Sequence, residues 1–276
     1  NPAAKQQYIN GHFCYAIKAG IVTNGLGIPR HISVFDDEFF ARHNDINMVN
    51  DSDPTKSKEI GDSTSLRPVL SDFFSKHKKL KYATFLGDAA FDSYDNYSML
   101  KTEFGFERIC VPLNKRNSKS TTTDFDEFGA PLCPVDKSKF TCLGKSGGKN
   151  RSLRIKWVCN KSIVKGNTRR LICEHPCTSS KYGKCVYTYP DKNLRLYPGI
   201  ERGTAHWDNL YRHRVCIERS INIIKDTFML DGRKSRRTIT AKADLYLAGM
   251  IWLVAVILAK AMCKMEYYKS IRKLAA

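Results

Sequence analysis

Tyr211, Arg214, Glu218 and Lys225 follow one another at offsets of three, four and seven residues inside Asn209 to Leu230, a segment whose periodicity predicts one amphipathic helix. At ~3.6 residues per turn those offsets gather the four side chains into a stripe of roughly 60° of arc. Ile217, Ile221, Ile224 and Phe228 form the adjacent apolar face, so the helix can pack without the polar four. One carboxylate among an arginine, a lysine and a tyrosine suits metal-assisted phosphoryl chemistry on a nucleic acid: the carboxylate holds a hard cation and the cationic groups take phosphate oxygens. A second carboxylate, Asp88, follows the short apolar run Lys81 to Leu86 through Gly87, a rigid support at a strand end. Asp92-Ser93 is read as the cap of the next helix, with Asp92 suited to that job, which leaves Asp88 for chemistry.

The charge balance points to the same kind of substrate. The chain has 46 Lys+Arg against 27 Asp+Glu, a formal net charge of +19, and a sequence pI near 9.5. An excess of that size implies a polyanionic partner, with nucleic acid the first candidate. Lys115 and Arg116 follow a predicted strand, and Arg233, Arg236 and Arg237 follow the polar helix. All five are expected to line a groove and neutralise phosphates. No helix-turn-helix is evident. The sequence begins Asn1-Pro2-Ala3-Ala4, without the basic-then-apolar plan of a signal peptide, and reads as a piece of a longer protein. Leu245 to Ala259 is an apolar run of about 15 residues against the ~20 needed for a membrane span, so a buried helix is expected and no membrane.

The elements that must position these residues read as a mixed α/β domain with an insertion. Phe13 to Thr23 and Ile28 to Phe35 form a predicted hairpin around Asn24 to Gly27. Gly61 to Ser63 caps a helix carrying Leu66, Val69, Leu70, Phe73 and Phe74. The strand Lys81 to Leu86 then precedes a helix that runs to Phe104 and is ended by Gly105, and a further strand spans Glu107 to Leu113. From Asn114 to about Tyr197 the pattern becomes short β pieces, such as Arg154 to Cys159 and Cys185 to Tyr189. After that it is helical again, ending in an apolar helix from Ala241 to Met262.

Six of the ten cysteines lie between Cys133 and Cys185. In an intracellular chain they are thiols or metal ligands rather than disulfides. Cys159, Cys173, Cys177 and Cys185 supply a candidate quartet for a structural Zn²⁺. Equally, small buried thiols fill a thin β core. Tyr187, Tyr189, Tyr197 and Trp207 could stack an unpaired base, or form core.

The pattern Y-x2-R-x3-E-x6-K, with the blocks Gly87 to Ser93 and Val111 to Asn117, resembles the DDE-type insertion-sequence transposases. The resemblance implies an RNase H-like mixed sheet flanked by helices, with a β-rich insertion between the second catalytic Asp and the catalytic Glu. It makes Asp88 that Asp and Glu218 that Glu, ligands of two Mg²⁺ or Mn²⁺ ions that drive phosphodiester hydrolysis and strand transfer at transposon ends. Tyr211, Arg214 and Lys225 become contacts to the end DNA. The implied organisation is 1–113 and 201–276 for the RNase H-like parts and 114–200 for the insertion. The implied setting is a bacterial cytoplasm, with a homodimer assembled on double-stranded DNA, both transposon ends and target. The first Asp departs from the pattern: the family places it on a strand before the hairpin, whereas Asp36 and Asp37 come after it. That implies a first catalytic strand lost or lying upstream, and a chain that does not cleave DNA alone. The alternative is a catalytically incomplete, transposase-derived DNA-binding protein.

Overall fold

The structure, a computed structural model, describes residues 4–9, 12–44, 46, 60–114, 124–126, 128–147, 152–166, 168–230, 237–270 and 273–274. The chain forms two compact units, one from residues 1–81 and 212–276, the other from 82–211.

The first unit opens with an antiparallel pair, β1 (Lys5–Ile9) and β2 (His12–Ala16). The expected hairpin follows in part: the run Phe13 to Thr23 divides between β2, paired with β1, and β3 (Ala19–Thr23), and β3 alone pairs with β4 (Pro29–Val34), Ile21 opposite Ile32. Its turn is built by side-chain chemistry. Asn24 Oδ1 accepts from the Leu26 and Ile28 amides at 3.1 and 3.0 Å, and Gly27 takes φ +81°. Asp36 caps α1 (Asp37–Arg42) by accepting from the Phe39 amide. The expected helix after Gly61 is α2 (Asp62–Lys76), whose Leu66, Val69, Leu70 and Phe73 are buried. Val69 joins Phe35, Phe39 and Ile60 in a core cluster. Each such side chain contributes roughly 1.5–3 kcal/mol on burial.

The carboxyl-terminal part of this unit holds α5 (Val215–Asn222) and α6 (Thr238–Ala261). One continuous helix was expected from Asn209 to Leu230. Instead, 3₁₀ geometry spans Arg212–Arg214 before α5, and a π turn spans Ile223–Thr227 after it. The Phe228 amide accordingly donates to the Ile223 carbonyl, five residues back. α6 is longer than the apolar run that suggested it and is less enclosed than expected. It buries Ala248, Gly249, Trp252, Ala255 and Ala259 but exposes Leu247, Met250, Val254 and Ile257. By length and composition it could cross a membrane. It is tied to the unit by Lys242, which donates to Asp36 at 2.8 Å and Glu38 at 2.6 Å.

The second unit contains a parallel pair, β5 (Thr84–Leu86) and β6 (Arg108–Cys110), joined through α3 (Tyr94–Thr102). Ile109, Cys110 and Val111 are fully buried, with Tyr97 and Leu100 of α3 nearly so. Beyond them lie a three-stranded antiparallel sheet and a hairpin. The sheet comprises β7 (Thr141–Ser146), β8 (Arg154–Val158) and β11 (Cys185–Thr188) in the order β11-β8-β7. The hairpin is β9 (Ser162–Lys165) with β10 (Thr168–Leu171). Trp157, Phe140, Ala130 and Cys133 form a small core there. The unit ends with α4 (Ala205–Tyr211). The coarse class is mixed α/β, as expected. Among the described residues its strands make several small sheets, with β3-β4 and β5-β6 each two-stranded.

Candidate active site

Asp88 leaves the end of β5 and is exposed. Its Oδ1 accepts from the Ala90 amide at 2.9 Å, capping a 3₁₀ turn over Ala89–Phe91. Capping had been expected of Asp92 and Ser93. The structure gives that work to Asp88 and to Ser93, whose hydroxyl accepts from the Asn96 amide at the start of α3. The cap fixes one Asp88 oxygen and the rotamer, and no hydrogen bond among the described residues occupies the other oxygen. Gly87 fits because an added Cβ would lie 2.8 Å from Phe85 and 2.9 Å from Phe91.

Asp92 is the buried centre behind this loop, with no exposed surface. Arg195 donates to its two oxygens at 3.0 and 2.7 Å, the Tyr97 hydroxyl at 3.0 Å, and the Asn114 amide at 2.6 Å. Arg202, only 2% exposed, donates in turn to the Tyr97 hydroxyl and to the carbonyls of Val111 and Arg195. Burial raises the Tyr97 phenol, which therefore stays protonated and donates to Asp92. The network clamps the exit of β6 to the loop that carries Asp88. Sequence reading missed Tyr97, Arg195 and Arg202. Asp92 sits in a capping position, and the two arginines lie in an irregular stretch with no period to betray burial.

Glu218 lies on α5 in the other unit, its side chain 51% exposed, and accepts from Arg214 at 2.7 Å. Two residues on, Ser220 is buried. Its hydroxyl lies 2.5 Å from the Gly27 carbonyl and 2.6 Å from that of Cys216, one proton shared between two acceptors. This contact seats the Glu218 helix on the β3–β4 turn. Lys225 is exposed on the π turn, Arg237 is exposed at the start of α6, and Tyr211 stacks on Trp207 with ring centres 4.6 Å apart. Lys115, Arg116, Arg233 and Arg236 lie outside the described residues. Asp88 thus belongs to the unit 82–211, and Glu218 to the unit formed by 1–81 and 212–276.

Each carboxylate offers a hard oxygen that suits Mg²⁺ or Mn²⁺. No group of three or more His, Cys, Asp or Glu among the described residues stands ready to hold a metal ion. Of the expected zinc quartet, Cys159, Cys173 and Cys177 line one small cleft. Cys185 does not: it is exposed on β11, opposite Val158, and Cys133 lines the cleft instead.

A family model described as "Transposase DDE domain" matches residues 2–254. No curated protein and no solved structure matches the chain.

Proposed function

The chain belongs to the transposase DDE-domain family, and on that premise we propose that Asp88 and Glu218 are two of the carboxylates with which it hydrolyses phosphodiesters and transfers strands on double-stranded DNA. The family carries a transposition-related nuclease and strand-transfer function. What supports the specific residues is the exposed Asp88 carboxylate at the end of β5, inside the matched span and oriented by its own cap.

Two divalent ions, Mg²⁺ or Mn²⁺, would supply activation of the attacking water or 3′ hydroxyl and stabilisation of the leaving oxygen. The chain's own groups do the rest. Ala90 holds Asp88 Oδ1, so Oδ2 faces outward as a ligand of fixed direction. Arg214 neutralises Glu218 until a phosphate takes over its guanidinium, which releases Glu218 Oε1 to a cation. Lys225, Tyr211 and Arg237, with Lys115, Arg116, Arg233 and Arg236, contact the phosphates of transposon ends and target. The strands of 1–113 and the helices of 201–276 make an RNase H-like domain and 114–200 its β-rich insertion. Two copies act together on DNA in the cytoplasm. α6 is a helix packed within the protein rather than a membrane span. Its buried face of Ala248, Trp252, Ala255 and Ala259 and its Lys242 ion pairs favour that placement.

A second reading, a DNA-binding member of the family with an incomplete metal set, has one observation in its favour. Strands β1 to β4 carry no Asp or Glu and so contribute no third carboxylate. Calorimetric titration of Mn²⁺ into the protein with a short duplex separates the two. Binding of about two ions, lost in Glu218→Ala and in Asp88→Asn, supports catalysis. DNA binding without specific metal uptake selects the second reading, and absence of both sinks the two together.

A further inference from the structure

We propose that Cys133, Cys159, Cys173 and Cys177 form a structural site for one tetrahedral thiophilic cation, Zn²⁺, that pins the β9–β10 hairpin to the three-stranded sheet. The four thiols are reduced and line a single small cleft, part of it open to solvent, together with Lys161 and Lys184. They come from three separate pieces of chain within the same unit. Cys133 begins a turn in which its carbonyl accepts from the Lys137 amide, and Cys159 begins the β8–β9 turn in which its carbonyl accepts from the Ser162 amide. Cys173 and Cys177 lie on the loop that leaves β10.

The lining chemistry suits this ion and few others. Four thiolates around Zn²⁺ leave a net charge of −2. Lys161 and Lys184 at the cleft offset it, Lys161 being already held in place by Asp136. Cys133 and Cys177 are close enough to pair their thiols through a hydrogen bond, and each thiol must give up its proton to ligate zinc. Binding therefore expels the thiol protons as the four Zn–S bonds form, and affinity rises with pH. As the side chains stand they are not closed around one point, so rotation of the thiols about χ1 accompanies uptake. The need for such a staple is local. The buried core beneath these turns is Trp157 and Phe140 with Ala130 and Cys133, and Ile155, Val186 and Tyr197 pack against it only partly buried, a modest apolar area for a sheet and a hairpin to share.

The site is independent of nuclease activity, and its test reads metal and thiols alone. The full chain, produced with zinc and dialysed, is expected to retain about one Zn²⁺, with Cys133→Ser and Cys173→Ser losing it and Cys185→Ser keeping it. Retention by Cys133→Ser with loss in Cys185→Ser overturns the assignment. Two measurements on the unsubstituted chain guard against variants that do not fold. Cobalt substitution should give the intense thiolate-to-metal and d–d bands of a tetrahedral all-sulfur site. Thiol labelling should find that chelator releases four of the ten cysteines from protection, while the buried Cys110 stays protected with or without it. A chain without bound metal, a weak octahedral cobalt spectrum, or no chelator-sensitive thiols each rejects the proposal.

Discussion

Arg195 grips both oxygens of Asp92, a carboxylate with no exposed surface, from 103 positions further along the chain. An ion pair of this kind adds little net stability when it forms, because both charges lose water. Removing one partner is costly because the other charge stays buried. Asp92→Ala should therefore lower the free energy of unfolding by roughly 3–5 kcal/mol. Arg195→Met should cost a comparable amount, since it leaves the Asp92 carboxylate, with no exposed surface, without its cationic partner, although Asp92 keeps its Tyr97 and Asn114 donors. Urea unfolding of the two single variants and the double variant reads the coupling. Additivity of the two effects would show that the pair is not a unit.

Gly27 and Ser220 make a second long-range contact, and it bears on Glu218. A Cβ at Gly27 would lie 2.6 Å from Ser220 Oγ and 2.7 Å from the Cys216 carbonyl, at φ +81°. Gly27→Ala should thus cost roughly 1–3 kcal/mol from backbone strain alone, with faster amide exchange along Val215–Asn222 as the helix is pushed from its seat. Exchange unchanged over that helix would mean that the turn does not position it.

How far the sequence reveals such a fold depends on whether periodicity carries the information. The β3–β4 hairpin, α2, the β5–α3–β6 unit and the apolar helix were readable because alternation, caps and breakers mark them locally. The split of the Glu218 segment into 3₁₀, α and π turns was not. Over three to five residues, periods of 3.0, 3.6 and 4.4 place the same apolar residues inward. The long-range polar contacts escaped for a different reason: nothing near Asp92 in the sequence tells of Arg195, and nothing near Ser220 tells of Gly27. Cysteine spacing grouped Cys185 with Cys159, Cys173 and Cys177, whereas β11 carries it to an exposed position away from the cleft that the other three line, which spacing alone does not reveal.

Lys242 ties α6 to Asp36 and Glu38, and the tie should be visible in the acid limb of stability. Burial pulls the Asp36 carboxyl upward, but the Lys242 ammonium and the Phe39 amide outweigh it, so its pKa falls below the ordinary 3.8. A depressed carboxyl contributes stability that is present above its unfolded value and lost as pH falls through the folded one. Lys242 is raised above 10.5, and its contribution is lost only in strong alkali as pH rises through the raised value. Urea midpoints measured from about pH 6 down to about pH 2.5 should drop less steeply in Lys242→Met than in the parent chain, because Asp36 loses its stabilising partner. Parallel curves would show that the pair carries no pH-linked stability.

Arg214 separates a structural from a DNA-binding role most cleanly. Its pair with Glu218 is exposed and spaced i,i+4, a geometry worth about 0.3–0.5 kcal/mol. Loss of the pair in Arg214→Ala should therefore shift unfolding by about that amount, with the lost packing of the 26% exposed Arg214 side chain added to it. If Arg214 takes a phosphate in the complex, its loss should weaken duplex binding at every sequence tested. It should also reduce the slope of log affinity against log salt by about 1. Lys225→Ala should behave the same way, being exposed on the π turn. Fluorescence anisotropy with a labelled duplex across a salt series measures both. A slope that stays at the parent value in each variant would remove these side chains from the DNA surface and leave the Arg214–Glu218 pair as a contact within the helix.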